Sequence, residues 1–185
     1  MRITGGSLAG RQVKVPPGVI RPAMDMMRES IFAVLGDLSG LSFLDLFSGS
    51  GIIALEAASR GAEYIEAVEM DPLKRKILLE NVSISPIRIN CKFLPVELYV
   101  KRAKQAFDII FCDPPFPYKF KWDLITSIRD SILIKMNTLL LLHRPRNENP
   151  ENLSPEMVHE DMREYGRSVV DFIKIKKNSL YFDKY

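Results

Sequence analysis

Between residues 42 and 143 short apolar runs alternate with amphipathic ones, and this alternation restricts the fold more than any other feature of the sequence. Residues 42–46, 64–68, 87–94, 107–112 and 138–143 read as strands. Residues 51–60, 72–82, 96–104 and 122–134 read as helices, the first stopped by Gly61 and the second opened by Pro72 at its first helical position. Strands that alternate with helices predict a mostly parallel sheet covered by helices on both faces. Upstream, Gly5-Gly6 and Gly10 punctuate residues 2–15 as a short β-hairpin or loop pair, and Pro16-Pro17-Gly18 breaks the chain. Met24, Met27, Ile31, Phe32 and Leu35 then form a helical stripe. Downstream, residues 144–155 make a polar, proline-punctuated loop, and the runs 157–165 and 168–175 around Gly166-Arg167 read as an antiparallel hairpin. The 185 residues fit one compact unit, with 1–36 as an N-terminal extension and 37–185 as the main domain.

Composition narrows the class only a little. Apolar content of 46% and charged content of 26% are ordinary for a soluble protein, and a net charge of +3 is weak support for a nucleic-acid partner. Distribution says more, because Arg2, Arg11, Lys14, Arg21 and Arg28 in the first 36 residues face only Asp25 and Glu29. Cys91 and Cys112 sit in apolar runs and are expected to be free thiols, and the two histidines give no metal constellation. No apolar stretch approaches the ~18 residues of a membrane helix and no signal region opens the chain, so a cytoplasmic protein without membrane contact is expected.

The apolar run 107–112 ends abruptly in Asp113-Pro114-Pro115-Phe116, because proline fixes φ and offers no N–H to a sheet. The break presents a carboxylate, a stiff turn with free carbonyls and an aromatic ring, a set suited to a planar group bearing an amine. Upstream, Asp45-Leu46-Phe47-Ser48-Gly49-Ser50-Gly51 places a glycine loop after a strand, at the sheet edge where ligands bind. Gly49 and Gly51 permit positive φ and close approach of a ligand, and Glu69 at the tip of the next strand is placed to bind a ribose diol.

The glycine loop alone is ambiguous. Gly49-Ser50-Gly51-Ile52-Ile53-Ala54 also fits the dinucleotide pattern G-x-G-x-x-[G/A], with Glu69 near the spacing of its ribose acid. Asp45 favours another ligand: a carboxylate there would repel a pyrophosphate and suit an ammonium, as in S-adenosylmethionine. Methyl transfer from that sulfonium to an exocyclic amine requires the amine's lone pair to be oriented. Asp113 and the Pro114 carbonyl would accept its two N–H bonds, while Phe116 stacks on the base with help from Tyr118 or Phe120.

In these motifs the chain resembles class I S-adenosylmethionine-dependent methyltransferases, and in particular the RsmD family of 16S ribosomal RNA guanine-N2 methyltransferases. The matching pieces are Arg2-Ile3-Thr4-Gly5-Gly6 with Gly10-Arg11, Arg21-Pro22 with Asp25, Arg28-Glu29 and Phe32, then 45–51, Glu69-Met70-Asp71, 113–116 and Tyr165-Gly166. The resemblance implies a Rossmann-like, mostly parallel seven-stranded sheet with a C-terminal antiparallel hairpin, preceded by a short hairpin and helix. It implies a cofactor pocket of Asp45, Phe47, Ser48, Gly49, Ser50, Gly51, Glu69, Met70, Pro95 and Val96, and a catalytic set of Asp113, Pro114 and Phe116. It also implies RNA contacts from Arg2, Arg11, Arg21, Arg28, Pro115 and Tyr118, no metal, and a monomer acting on the small ribosomal subunit or its precursor. Two positions depart from the family: Ala23 replaces a usual threonine, and Leu94-Pro95-Val96-Glu97 lacks the acid often used to contact the adenine amine. Adenine-N6 methylation, a nucleotide-binding oxidoreductase and a non-catalytic RNA-binding module stand as the alternatives.

Overall fold

The computed structural model describes residues 1–15, 22–148 and 153–176, with the side chains of 22 and 23 left out. Seven strands form one sheet in the order β3-β2-β1-β4-β5-β7-β6. Strands β1 (Ser42–Leu46), β2 (Tyr64–Val68), β3 (Ile89–Lys92), β4 (Phe107–Cys112) and β5 (Ile134–Pro145) run parallel. The last two, β6 (Met157–Tyr165) and β7 (Ser168–Ile175), form an antiparallel hairpin turning at Gly166, in which β7 pairs antiparallel with β5 and β6 lies at the edge.

Alternation along the strands sends side chains to two faces. Phe43, Ile65, Ile109 and Phe111 join one apolar cluster with α1 (Pro22–Leu35) and α2 (Ile52–Ser59). Leu44, Leu46, Ile110 and Cys112 join the other with α4 (Val96–Lys101) and α5 (Lys121–Arg129). Each fully buried leucine removed from water stabilises the fold by about 1.5–3 kcal/mol, so two dry faces fix the strand register strongly. That register places Leu46 opposite both Val68 and Cys112, and Cys112 opposite Leu142. Phe47, Glu69 and Asp113 therefore follow their strands at one rim, level with His143, which continues β5 alongside Val170 of β7.

Several expected elements are redrawn. The N-terminal hairpin reduces to a single antiparallel bridge between Arg2 and Gln12 around a 3-10 turn, Gly6–Leu8. The helix expected to run to 134 ends at Arg129, because the Ser131 hydroxyl bonds the Ile128 carbonyl at 2.7 Å and accepts Leu133 N–H at 3.1 Å. Strand β5 consequently starts at Ile134 and carries an irregularity where Asn137 takes φ 68° and pairing jumps from Ile134 to Leu139. The third strand is confined to Ile89–Lys92, and α3 (Pro72–Val82) is capped by the Asp71 carboxylate on Leu73 N–H at 2.9 Å.

Arg28 requires a correction. Its guanidinium is 2% exposed and acts as a structural fork. Nε donates to Glu56 at 2.9 Å, Nη1 to Asp25 at 3.0 Å and Nη2 to the Arg2 carbonyl at 2.7 Å. The fully buried Glu56 also accepts Thr4 N–H at 2.7 Å and the Arg60 guanidinium. The cluster pins the N-terminal segment and α1 to α2, and leaves Arg28 no face for RNA. Ile3, Leu8 and Val13 share the core of that face, so residues 1–15 are packed into the main unit.

Candidate active site

The loop after β1 is held from both sides. Ser48 N–H donates to the Val68 carbonyl, Gly51 N–H to the Ser48 carbonyl, and Gly49 N–H to Glu69 Oε2 at 2.8 Å. Asn81 of α3 donates to the carbonyls of Ser50 and Lys14, tying the loop to a neighbouring helix and to the N-terminal segment. The two glycines have different tasks. Gly49 (φ 57°) has open space where a Cβ would stand, nothing nearer than the Phe47 carbonyl at 3.9 Å, so the backbone can be approached closely. Gly51 (φ 80°) would press a Cβ to 2.5 Å from Leu78 of α3, which makes it a helix-packing glycine. Phe47 also takes a left-handed φ of 63°, a strain of about 1–2 kcal/mol for an L-residue, and packs edge-on against Tyr118 at 5.6 Å.

A cleft of about 1700 Å3 opens above the rim. Ligand sites usually measure ~300–1,000 Å3, so this one has room for a nucleoside-sized cofactor and a second planar group. Phe47, Gly49, Glu69, Met70 and Pro95 line one arm, and Asp113, Pro114, Pro115, Phe116 and Tyr118 line the other. Asp45, Ser48, Ser50, Gly51 and Val96 do not reach the wall and stand buried behind it, Val96 in the apolar cluster beside α4. Asp45 organises the loop: Oδ2 accepts the Ser48 hydroxyl at 2.6 Å and Ala54 N–H at 3.3 Å. Its burial, and next the nearby carboxylate of Asp113, push its pKa up to about 7, against the hydrogen bond from Ser48. Glu69 is 4% exposed and also accepts Asp71 N–H at 2.8 Å.

Features invisible in the sequence complete the site. His143, at the end of β5, approaches Asp113 Oδ1 with Nδ1 at 2.6 Å, and Phe116 meets its ring edge-on at 5.5 Å. Glu97 also lines the cleft and accepts the Tyr118 hydroxyl, whose proton is held more tightly through burial and that carboxylate. Helix α1 supplies Met24 and Met27 to the wall, and the Tyr165 hydroxyl donates to Ser30, docking the β6–β7 turn on α1. Lys74, Lys119 and Arg167 stand around the mouth. Arg2 and Arg11 are exposed but lie outside the cleft lining, and Arg21 falls outside the described residues. Strand register brings these side chains together, and in sequence only the apolar end of β5 pointed at His143.

Among the described residues no cluster of His, Cys, Asp or Glu could hold a metal, and no helix is long and apolar enough to cross a membrane. Cys91 and Cys112 are free, and burial pushes the Cys91 thiol up to about 11.

Strand order, with β7 alone reversed and set between β5 and β6, makes this the sheet of a Rossmann-like methyltransferase. The solved structure of "Putative methyltransferase yhhF" from Escherichia coli matches it with a TM-score of 0.88 at 24% identity, covering 96% of this chain and 99% of that one. The family model described as conserved hypothetical protein 95 matches residues 1–174, and the chain belongs to that family, the RsmD family. "Putative rRNA methyltransferase YlbH" of Bacillus subtilis (strain 168) is 30% identical over 94% of this chain and 98% of its own length. "Ribosomal RNA small subunit methyltransferase D" of Escherichia coli (strain K12) is 31% identical over 71% and 68%.

Proposed function

We propose that the protein transfers a methyl group from S-adenosylmethionine to the exocyclic N2 amine of a guanine in 16S ribosomal RNA, on the small ribosomal subunit or its assembly intermediate. The observation that carries this reading is the position of Asp113 beside Phe116 in the same cleft as the glycine loop and Glu69. The family relatives named for small-subunit RNA supply the substrate class. The residues present fit the cofactor. The carboxylates of Glu69 and Asp113 line the cleft, with Asp45 buried close behind them, and there they favour a sulfonium and an ammonium over a diphosphate. That charge leaves the dinucleotide alternative without support. Glu69 has acceptor capacity left for a ribose diol, and Gly49 lets the ligand approach the backbone.

When bound, S-adenosylmethionine supplies an electrophilic methyl group. The chain supplies everything else. Phe116 stacks on the extruded base, since a base in a helix cannot reach a recessed cleft. Asp113 and the Pro114 carbonyl accept the two N–H bonds of the amine and aim its lone pair along the line of displacement. As positive charge develops on that nitrogen, the Asp113 carboxylate stabilises it in a partly dry environment and can receive the proton that leaves. Phe47 and Tyr118 pack edge-on in the wall of the cleft beside the base.

The test is incubation with labelled S-adenosylmethionine and small subunits from cells lacking this protein, followed by nucleoside analysis. N2-methylguanosine is expected, and Asp113→Ala should abolish it while S-adenosylhomocysteine binds within about threefold of wild type. A different methylated nucleoside, or full turnover by the variant, overturns the reading.

A further inference from the structure

His143 is a buried polar group for which the fold offers no structural reason. It ends the run Leu139-Leu140-Leu141-Leu142, is 5% exposed, and its Nε2 is buried without a hydrogen-bond partner. An unpartnered ring nitrogen in a dry site destabilises the fold, and a fifth leucine would fill the position without that cost. The remaining nitrogen has one partner, Asp113 Oδ1 at 2.6 Å, and a carboxylate only accepts, so Nδ1 carries the hydrogen.

We infer that His143 is a positioning residue: through Nδ1–H it commits one oxygen of Asp113 and so turns the other toward the target amine. The inference rests on Asp113 being the amine acceptor. The need for such an anchor follows from the loop. Asp113 is the first residue past β4, its backbone N–H makes only a long 3.3 Å bond to the Leu46 carbonyl, and its side chain is partly exposed at the cleft. A carboxylate there is otherwise free to rotate, and reactivity falls steeply when an acceptor is misplaced. The parallel pairing of Cys112 with Leu142 puts residues 113 and 143 side by side on the rim, so the anchor stands on a central strand of the sheet. The imidazole and Phe116 rings also meet in an edge contact at 60°. One side chain therefore references both the base-stacking ring and the amine acceptor to a rigid element.

The test is a series at this position assayed on small subunits, with S-adenosylhomocysteine affinity and thermal unfolding measured alongside. His143→Leu should lower kcat about 30-fold with the S-adenosylhomocysteine Kd within twofold of wild type. His143→Asn, whose amide N–H can occupy the place of Nδ1–H, should recover to within about fivefold of wild type. His143→Gln, which reaches the Nε2 position instead, should stay as low as the leucine variant, and the Asn/Gln contrast decides the matter if His143→Leu fails to fold. Wild-type kcat in His143→Leu, or equal losses in the Asn and Gln variants, overturns the inference. Full turnover by Asp113→Ala would instead sink the assignment of the site itself.

Discussion

Replacing Asp45 by asparagine should stabilise the cofactor-free protein at neutral pH and remove a pH dependence that the wild type carries. Asp45 is 1% exposed, and desolvation raises its pKa from 3.8 to about 7; the carboxylates of Asp113 and Glu69 add to this, and hydrogen bonds from Ser48 and Ala54 oppose it. Between about pH 4 and pH 7 the native protein therefore holds a proton that the unfolded chain has released. The contribution of this group to stability is fully present below about pH 4, is lost as pH rises to about 7, and levels off above it. At 1.36 kcal/mol per pKa unit, and with the native carboxyl half ionised by pH 7, the interval from pH 5 to pH 7 amounts to about 2 kcal/mol. Asparagine can accept the same two bonds, from the Ser48 hydroxyl and Ala54 N–H, without bringing a charge into the dry loop. Urea unfolding of both proteins at pH 5, 6, 7 and 8 isolates the effect, because all other titrating groups cancel in the difference. The variant should gain about 2 kcal/mol on wild type between pH 5 and 7 and little more by pH 8. A difference that stays flat with pH, or grows toward low pH, would refute the reasoning.

The same proton should be coupled to the ligand. If an ammonium-bearing ligand favours ionised Asp45, S-adenosylhomocysteine should bind about tenfold more tightly per pH unit up to about pH 6, with proton release in calorimetry, and Asp45→Asn should abolish the trend. Equal affinity at pH 5 and 7 in wild type would separate Asp45 from the cofactor. At the cleft mouth, Lys119→Ala with Arg167→Ala should weaken binding to the small subunit and reduce the slope of log affinity against log salt by about 1.4. Arg11→Ala should change that slope less, and the reverse ranking would move the RNA path to the N-terminal segment. Arg28→Met leaves Glu56 buried with Arg60 and Thr4 N–H as remaining partners, and should cost about 3 kcal/mol in urea unfolding. RNA affinity of the folded variant should be unchanged; a selective loss of RNA binding without loss of stability would return Arg28 to the interface.

Local chemistry decides part of this molecule. The period-two apolar runs, the glycines of the 45–51 loop and the Pro114-Pro115 stop act over a few residues each. They are readable without knowing what lies opposite, and so are the parallel core and the two loops that make the cleft. The same local rules misled wherever a distant partner decided. The apolar periodicity of α5 ran on through Leu133 and Ile134, but those residues are claimed by Phe107 across the sheet. An arginine in a basic stretch looks like an RNA contact, and Arg28 becomes a buried fork only because α2 carries Glu56 on the facing side. Asp45 and Gly51 belong to the loop motif, yet the fold turns both inward.

Sequence by itself determined the alternation of strands and helices in the central sheet, though not all of their bounds, and that an acid, two prolines and an aromatic ring follow the fourth strand. Tertiary structure alone decided that His143 stands beside Asp113, that Phe47 meets Tyr118, and that Lys74, Lys119 and Arg167 ring the opening. Propensity and turn chemistry are properties of neighbouring residues. Strand register and helix docking instead arise from burying two faces of one sheet at once, and only that cooperative packing brings side chains thirty or more positions apart within hydrogen-bonding distance.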